Sequence, residues 1–122
     1  MTISNNSFNK TKRLTRRTDF LRVQGSKQKV HSKNIILAIE KRTQLDGPIK
    51  SRLGITITKK VDKLAVKRNQ FKRRVREYYR TSFSEKKTSY DLVVIAKSGA
   101  TEISSKELKE QLQDVFTRAR LL

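Results

Sequence analysis

Apolar residues recur at every second position in some stretches and at helical spacing in others, and the change of period marks out the elements. In "NIILAIE", residues 34 to 40, Ile35, Leu37 and Ile39 point one way and Ile36, Ala38 and Glu40 the other, the pattern of a strand with one face in the core. "RLGITITKK", residues 52 to 60, repeats it: Leu53, Ile55 and Ile57 face inward, while Gly54, Thr56 and Thr58 form a small, hydroxylated second face that reads as partly open. Gly47 and Pro48, the only proline, mark a turn between the two stretches and predict a hairpin-like link between antiparallel strands. "YDLVVIAK" is apolar on both faces from Leu92 to Ala96, as expected of a central strand covered on both sides.

Three segments carry helical signals. In "LTRRTDFLRVQGS", Thr15 is placed as a cap, Asp19 in the first turn and Gly25 as a stop, with Phe20 and Val23 on one face. Asp62 can cap a helix over residues 63 to 82, with Val61 and Val66 spaced as a hydrophobic staple. Ser104 and Glu107 match a capping box for a last helix, whose Leu108, Leu112, Val115, Phe116 and Ala119 form a stripe for packing on the sheet. Residues 1 to 13 have neither periodicity nor an acid and read as a flexible basic tail, either an arm on nucleic acid or a solvated terminus. Residues 14 to 122 then form a single domain, a two-layer α/β sandwich in the order helix, strands, helix, strand, helix.

Charge decides the class of partner. Among 122 residues, 30 Lys and Arg face 11 Asp and Glu, a formal net charge of +19 that repels itself unless a polyanion is near. Nucleic acid is the expected partner. No apolar run is long enough to span a bilayer and no secretory signal is visible, so a cytoplasmic protein without a membrane partner is expected. Zero cysteines exclude disulfides and thiolate chemistry, and the lone His31 cannot build a histidine metal site.

The charge concentrates in "KLAVKRNQFKRRVREYYR", residues 63 to 80. At about 100° per residue, Leu64, Phe71, Val75, Tyr78 and Tyr79 share the arc that docks on the sheet. Ala65, Arg68, Asn69, Lys72, Arg73, Arg76 and Arg80 fall on an adjoining arc, with Lys67 and Arg74 across the helix. Like charges three and four residues apart weaken a helix, so so pure a row implies an absent anion. Arginine forks, lysine point charges and Asn69 suit phosphate and sugar contacts. A helix-turn-helix reader is not indicated, because a strand rather than a short helix precedes the segment.

Lys59 and Lys60 followed by "AVKRNQFKRRVRE" resemble the protein component of bacterial ribonuclease P, whose hallmark is an Arg-Asn-Arg run leading into Lys-Arg and a further Arg on a helix. Arg68, Asn69, Lys72, Arg73 and Arg76 match, and Gln70 stands where the family has its second Arg. Asp19-Phe20, "RLGITITKK", "YDLVVIAK" and the amphipathic last helix extend the likeness over nearly the whole chain. The resemblance implies an α+β fold in the order αβββαβα, with a four-stranded sheet and a left-handed βαβ crossover, a hand that general rules argue against. It implies a subunit of an endoribonuclease without a catalytic site of its own. Its partners would be a catalytic RNA, acting with Mg2+ held mainly by that RNA, and precursor tRNA, with no small-molecule substrate. RNA contacts would fall on Lys59, Lys60, Arg68, Asn69, Lys72, Arg73, Arg76 and Arg80. A cleft for the 5′ leader would be lined by Phe20, Ile36, Ala38, Thr56 and Thr58, with Ala38 standing where an aromatic residue is often found.

The residues leave other roles open. Phe20 reads equally as core packing or as a platform for an unpaired base. Tyr78 and Tyr79 read as structural, packed on the sheet with a hydroxyl at its edge. A ribosomal or general RNA-binding protein would carry the same charge, and a self-sufficient nuclease would have to draw on Asp62, Asp91 and Glu102, which read better as cap and loop residues.

Overall fold

The computed structural model describes residues 17–41, 51–82 and 90–119. The basic tail at 1–13, Thr15, the side chain of Asp19 and the link holding Gly47 and Pro48 lie outside the described residues. The elements run α1 (Arg17–Gln24), β1 (Gln28–His31), β2 (Ile35–Lys41), β3 (Arg52–Thr56), α2 (Ala65–Ser82), β4 (Tyr90–Ala96) and α3 (Ser105–Arg118). This is the αβββαβα order of an α+β sandwich, with four strands in one mixed sheet.

The sheet order is β1-β2-β4-β3. β4 is central, antiparallel to β2 and parallel to β3, with Leu37 opposite Val94 and Leu53 opposite Leu92. Leu92, Val93 and Val94 are fully buried, because helices cover both faces. The hairpin expected between β2 and β3 is not formed: β4 inserts between them, since only a strand apolar on both sides can occupy the doubly covered position. β1 escapes the pattern reading. Gln28, Lys29 and His31 are exposed and only Val30 packs on the core, the polar character of an edge strand.

One face of the sheet carries α2 and α3. Ile35, Leu37, Ile39 and Leu53 meet Phe71, Val75, Tyr78 and Tyr79 of α2 and Leu108, Leu112, Val115 and Phe116 of α3 in one cluster. The opposite face carries α1, where Val23, Ala38 and Val93 form a second, smaller cluster with Phe20 and Ile95 beside it. α1 ends at Gln24, with the Gly25 N–H donating to the Leu21 carbonyl at 3.0 Å. Ser104 caps α3 as expected, accepting from the Glu107 N–H at 3.0 Å.

Two buried polar assemblies fix the ends of the sheet. Asp91, expected as a loop residue, sits in β4 with no exposure; Arg52 donates to it through two nitrogens (2.9 and 2.8 Å) and Arg22 of α1 through a third (2.6 Å). Arg22 also pairs with Glu40. Such a forked pair is strong only while complete, since removing one partner of a buried pair costs about 3–5 kcal/mol. At the other end, Asn34 and Gln111 exchange two hydrogen bonds of 2.9 Å, and Asn34 donates to the Ser98 carbonyl at 2.8 Å. Gly99, at φ 83°, turns the chain there, and a Cβ on it would meet the Asn34 amide at 3.0 Å.

The entry to α2 departs from the pattern. Val66 is 77% exposed and Leu64 58%, so neither the Val61/Val66 staple nor the docking role of Leu64 is realised. The chain turns at Thr58–Val61, through the Val61 N–H to the Thr58 carbonyl at 3.0 Å, and Val61 alone reaches the core. Phe71→Ala is expected to lower unfolding free energy in urea by about 3–5 kcal/mol, and Val66→Ser by no more than about 0.5 kcal/mol. A large loss at Val66 would restore the staple.

Candidate nucleic-acid interface

The cationic flank of α2 is built by its buried arc. Phe71, Val75, Tyr78 and Tyr79 fix the rotation of the helix, which leaves Asn69 and Arg73 exposed and Lys72, Arg76 and Arg80 half-buried along the neighbouring flank. Their roles then diverge. Arg68 folds back on the helix entry, donating through one nitrogen to the carbonyls of Asp62 (2.8 Å) and Lys63 (2.9 Å). Arg80 pairs with Glu77 one turn away, and Arg76 is also engaged. Asn69, Lys72 and Arg73 have no hydrogen-bond or ion-pair partner among the described residues. That trio is the part of the row that faces outward without a counter-charge.

Lys59 and Lys60 are not on the helix but in the exposed turn ahead of it. There they share a shallow depression of about 550 Å³ with Lys63 and Lys67, which the helical wheel leaves off the cationic arc, and with Asp62 and Glu102. The wheel misses this cluster because it forms only after the chain doubles back. Asp62 organises it: one oxygen accepts from the Leu64 N–H at 2.9 Å and the other from the Thr101 hydroxyl at 2.6 Å, tying the start of α2 to the loop before α3. The Thr101 hydrogen bond, then that of Leu64, holds its carboxyl below the usual 3.8, with Lys67 and Arg68 adding to the effect.

On the other face of the sheet an open cleft of about 440 Å³ runs between α1 and β3, lined by Arg17, Phe20, Leu21, Gln24 and Thr56. Two of the five residues expected in a leader cleft, Phe20 and Thr56, meet there. Ala38 lies beneath, fully buried against Val23 and Val93, and Ile36 is half-buried on the same face. Thr58 lies beyond the end of β3, in the turn toward α2. The Thr56 hydroxyl is bonded to the Gln24 side chain. Arg17, Leu21 and Gln24 are absent from the sequence expectation; for Arg17 and Gln24 the spacing of three and four from Phe20 was an available signal, whereas Leu21, one residue on, gave none.

The tyrosines are more enclosed than the pattern suggests. Tyr79 is buried, and that burial, aided by the Asp91 charge, raises its phenol. Tyr78 packs edge-on against Phe116 at 5.5 Å; its hydroxyl is buried rather than at the sheet edge and has no partner among the described residues. His31 is exposed, and its carbonyl accepts from Arg118.

A helix flank of uncompensated cations, a lysine-rich turn and an open cleft with Arg17 in its lining, all on one α+β scaffold, define a nucleic-acid-binding protein. Residues 8–120 match the family model described as Ribonuclease P. The chain is 37% identical over 113 residues to a ribonuclease P protein component of Desulfosudis oleivorans, covering 93% of this chain and 89% of that protein. It is 37% identical over 120 residues to one from Citrifermentans bemidjiense, covering 98% and 97%. Among solved structures, the RNase P protein of Staphylococcus aureus superposes with TM-score 0.79 at 25% identity (90% and 96% covered), and that of Thermotoga maritima with 0.72 at 28% (87% and 96%). The chain belongs to the ribonuclease P protein component family. It is thus a subunit of an endoribonuclease that processes the 5′ end of tRNA, and an RNA is its partner.

The lowered Asp62 carboxyl makes a testable pH dependence. A depressed folded value contributes stability that is present above the unfolded value and lost as pH falls through the folded one. Stability should therefore decline as pH drops below 3.8, and Thr101→Val, removing the largest cause of the shift, should make that decline shallower in acid denaturation followed by circular dichroism. An unchanged acid limb would count against the bond.

Proposed function

We propose that this chain docks on the catalytic RNA of ribonuclease P through the outward cations of α2 and its lysine-rich entry, and holds the 5′ leader of precursor tRNA in the cleft between α1 and β3. The observation that carries the reading is the uncompensated pair Lys72 and Arg73, with Asn69 likewise unpartnered among the described residues, together with the lysine-rich depression at Lys59 and Lys60, a charge that phosphates would balance. Arg68 takes a positioning role, since its guanidinium is held on the backbone that launches the helix. In the cleft, Phe20 offers a ring to an unpaired base and the Gln24 amide a polar edge, with Arg17 at the margin for a phosphate.

The chemistry of cleavage belongs to the RNA. Among the carboxylates weighed for catalysis, Asp91 is committed to Arg22 and Arg52 and Asp62 to Leu64 and Thr101, which leaves Glu102 alone, and the described residues hold no group of three His, Asp or Glu fit to seat a Mg2+ ion. In this reading Mg2+ stays with the RNA, and the protein lowers phosphate repulsion and strengthens substrate binding. No described helix is long and apolar enough to cross a membrane, and the proposed place of work is the cytoplasm, where tRNA precursors are made.

Adding the chain to its catalytic RNA at low Mg2+ should raise the rate of leader removal, and no gain would end the proposal. Arg73→Ala should weaken binding to the catalytic RNA and reduce the slope of log affinity against log salt by about one, measured by filter binding over a salt series. An unaltered slope would move the interface off α2. Phe20→Ala should instead narrow the affinity gap between precursor and mature tRNA while leaving catalytic-RNA affinity in place.

A further inference from the structure

The helix layer has a groove of its own, between α2 and α3 on the side of the sheet away from the α1 cleft, of about 640 Å³. That volume suits a ligand of nucleotide scale. Its rim brings Arg73 and Arg74 of α2 to Lys109 of α3, and none of the three has an ion-pair partner among the described residues. Glu77, the acid on the rim, already receives Arg80. Ser105, in the first turn of α3, lines one end, where the helix dipole favours an anion.

A second observation is independent of this charge. Tyr78 also lines the groove, is only 6% exposed, and carries the buried hydroxyl that lacks a partner among the described residues. Burial pushes its ionisation up to about 12, so the group is a proton donor throughout the physiological range. Donors in such enclosed positions ordinarily have an acceptor.

We propose that this groove seats a phosphate of a single-stranded RNA segment, with Arg74 and Lys109 as its principal counter-charges, Arg73 shared with the docking flank, and the Tyr78 hydroxyl, sealed in the unbound chain, brought to that phosphate by a shift of its ring. The proposal rests on the reading of the chain as an RNA partner, but on a different surface. It makes the RNA-binding footprint wrap over α2 onto α3 instead of ending at the α2 flank.

The test uses the full chain and a fluorescein-labelled oligouridylate, followed by anisotropy with the protein already assembled on the catalytic RNA. Lys109→Glu and Arg74→Ala should each weaken oligouridylate binding about three- to tenfold. Tyr78→Phe should weaken it about threefold while raising the melting temperature, a pair of opposite effects that a purely structural tyrosine does not give. A 4-thiouridine version of the probe should cross-link within 105–112 or 73–81. Wild-type affinity in both charge variants, cross-links confined to α1 and β3, or saturation by inorganic phosphate with no oligouridylate binding would each overturn the proposal. Leader removal by the wild-type complex, measured alongside, reports the ribonuclease P reading separately, so failure of one is distinguishable from failure of the other.

Discussion

The structure depends on how α2 reconciles two opposed forces. Its cations repel one another along the helix, and α2 has no acid in its first turn to offset them. What holds the segment helical is the burial of Phe71, Val75, Tyr78 and Tyr79 against the sheet, with Phe71 and Val75 each contributing about 1.5–3 kcal/mol of transfer free energy. The helix is therefore stable because it is docked, not because it is a good helix, and docking fixes which of its charges face outward. Rigidity of the charge pattern follows from the core.

The core beneath shows the same economy. β4 is the central strand, and it meets both layers of helix, α2 and α3 through Leu92 and Val94 and α1 through Val93, as its neighbour β2 does through Leu37 and Ala38. The cationic helix flank and the α1 cleft thus rest on one central strand. The α1 cluster is small, with Val23, Ala38 and Val93 as its fully buried members, so the position of α1 relies on Arg22 reaching Asp91 and on Gln24 meeting Thr56.

How far the sequence was legible varies with the physics of each element. β2, β4, α3 and the docking arc of α2 were readable because each buries a face whose period is fixed by backbone geometry. β1 was not, since an edge strand can be polar on nearly every side chain and draws its order from pairing with β2. The neighbour of β3 was equally hidden, because sheet order depends on which strand needs two covers and not on which follows next. At the site, the residues on α2 were legible as a row, but the fates of its members were not: Arg68 turned to the backbone and Arg80 to Glu77 through contacts that a wheel cannot draw. Ala38 and Thr58 show the same limit in the cleft, one sealed under α1 and the other carried past the strand end. The resemblance supplied the third strand ahead of α2 and the βαβ crossover, which the periodicity could not.

Asp91 is a hinge pin for evolutionary change. One carboxylate serves an arginine from α1 and an arginine from β3, so the wall of the cleft between α1 and β3 and the margin of the sheet draw on the same carboxylate. A lineage that reshapes the cleft by substituting along α1 must leave Arg22 in place or replace both ends of the network together. Variation in the shape of the opening should accordingly accumulate at Arg17, Leu21 and Gln24, which border it, while the junction behind them stays constant.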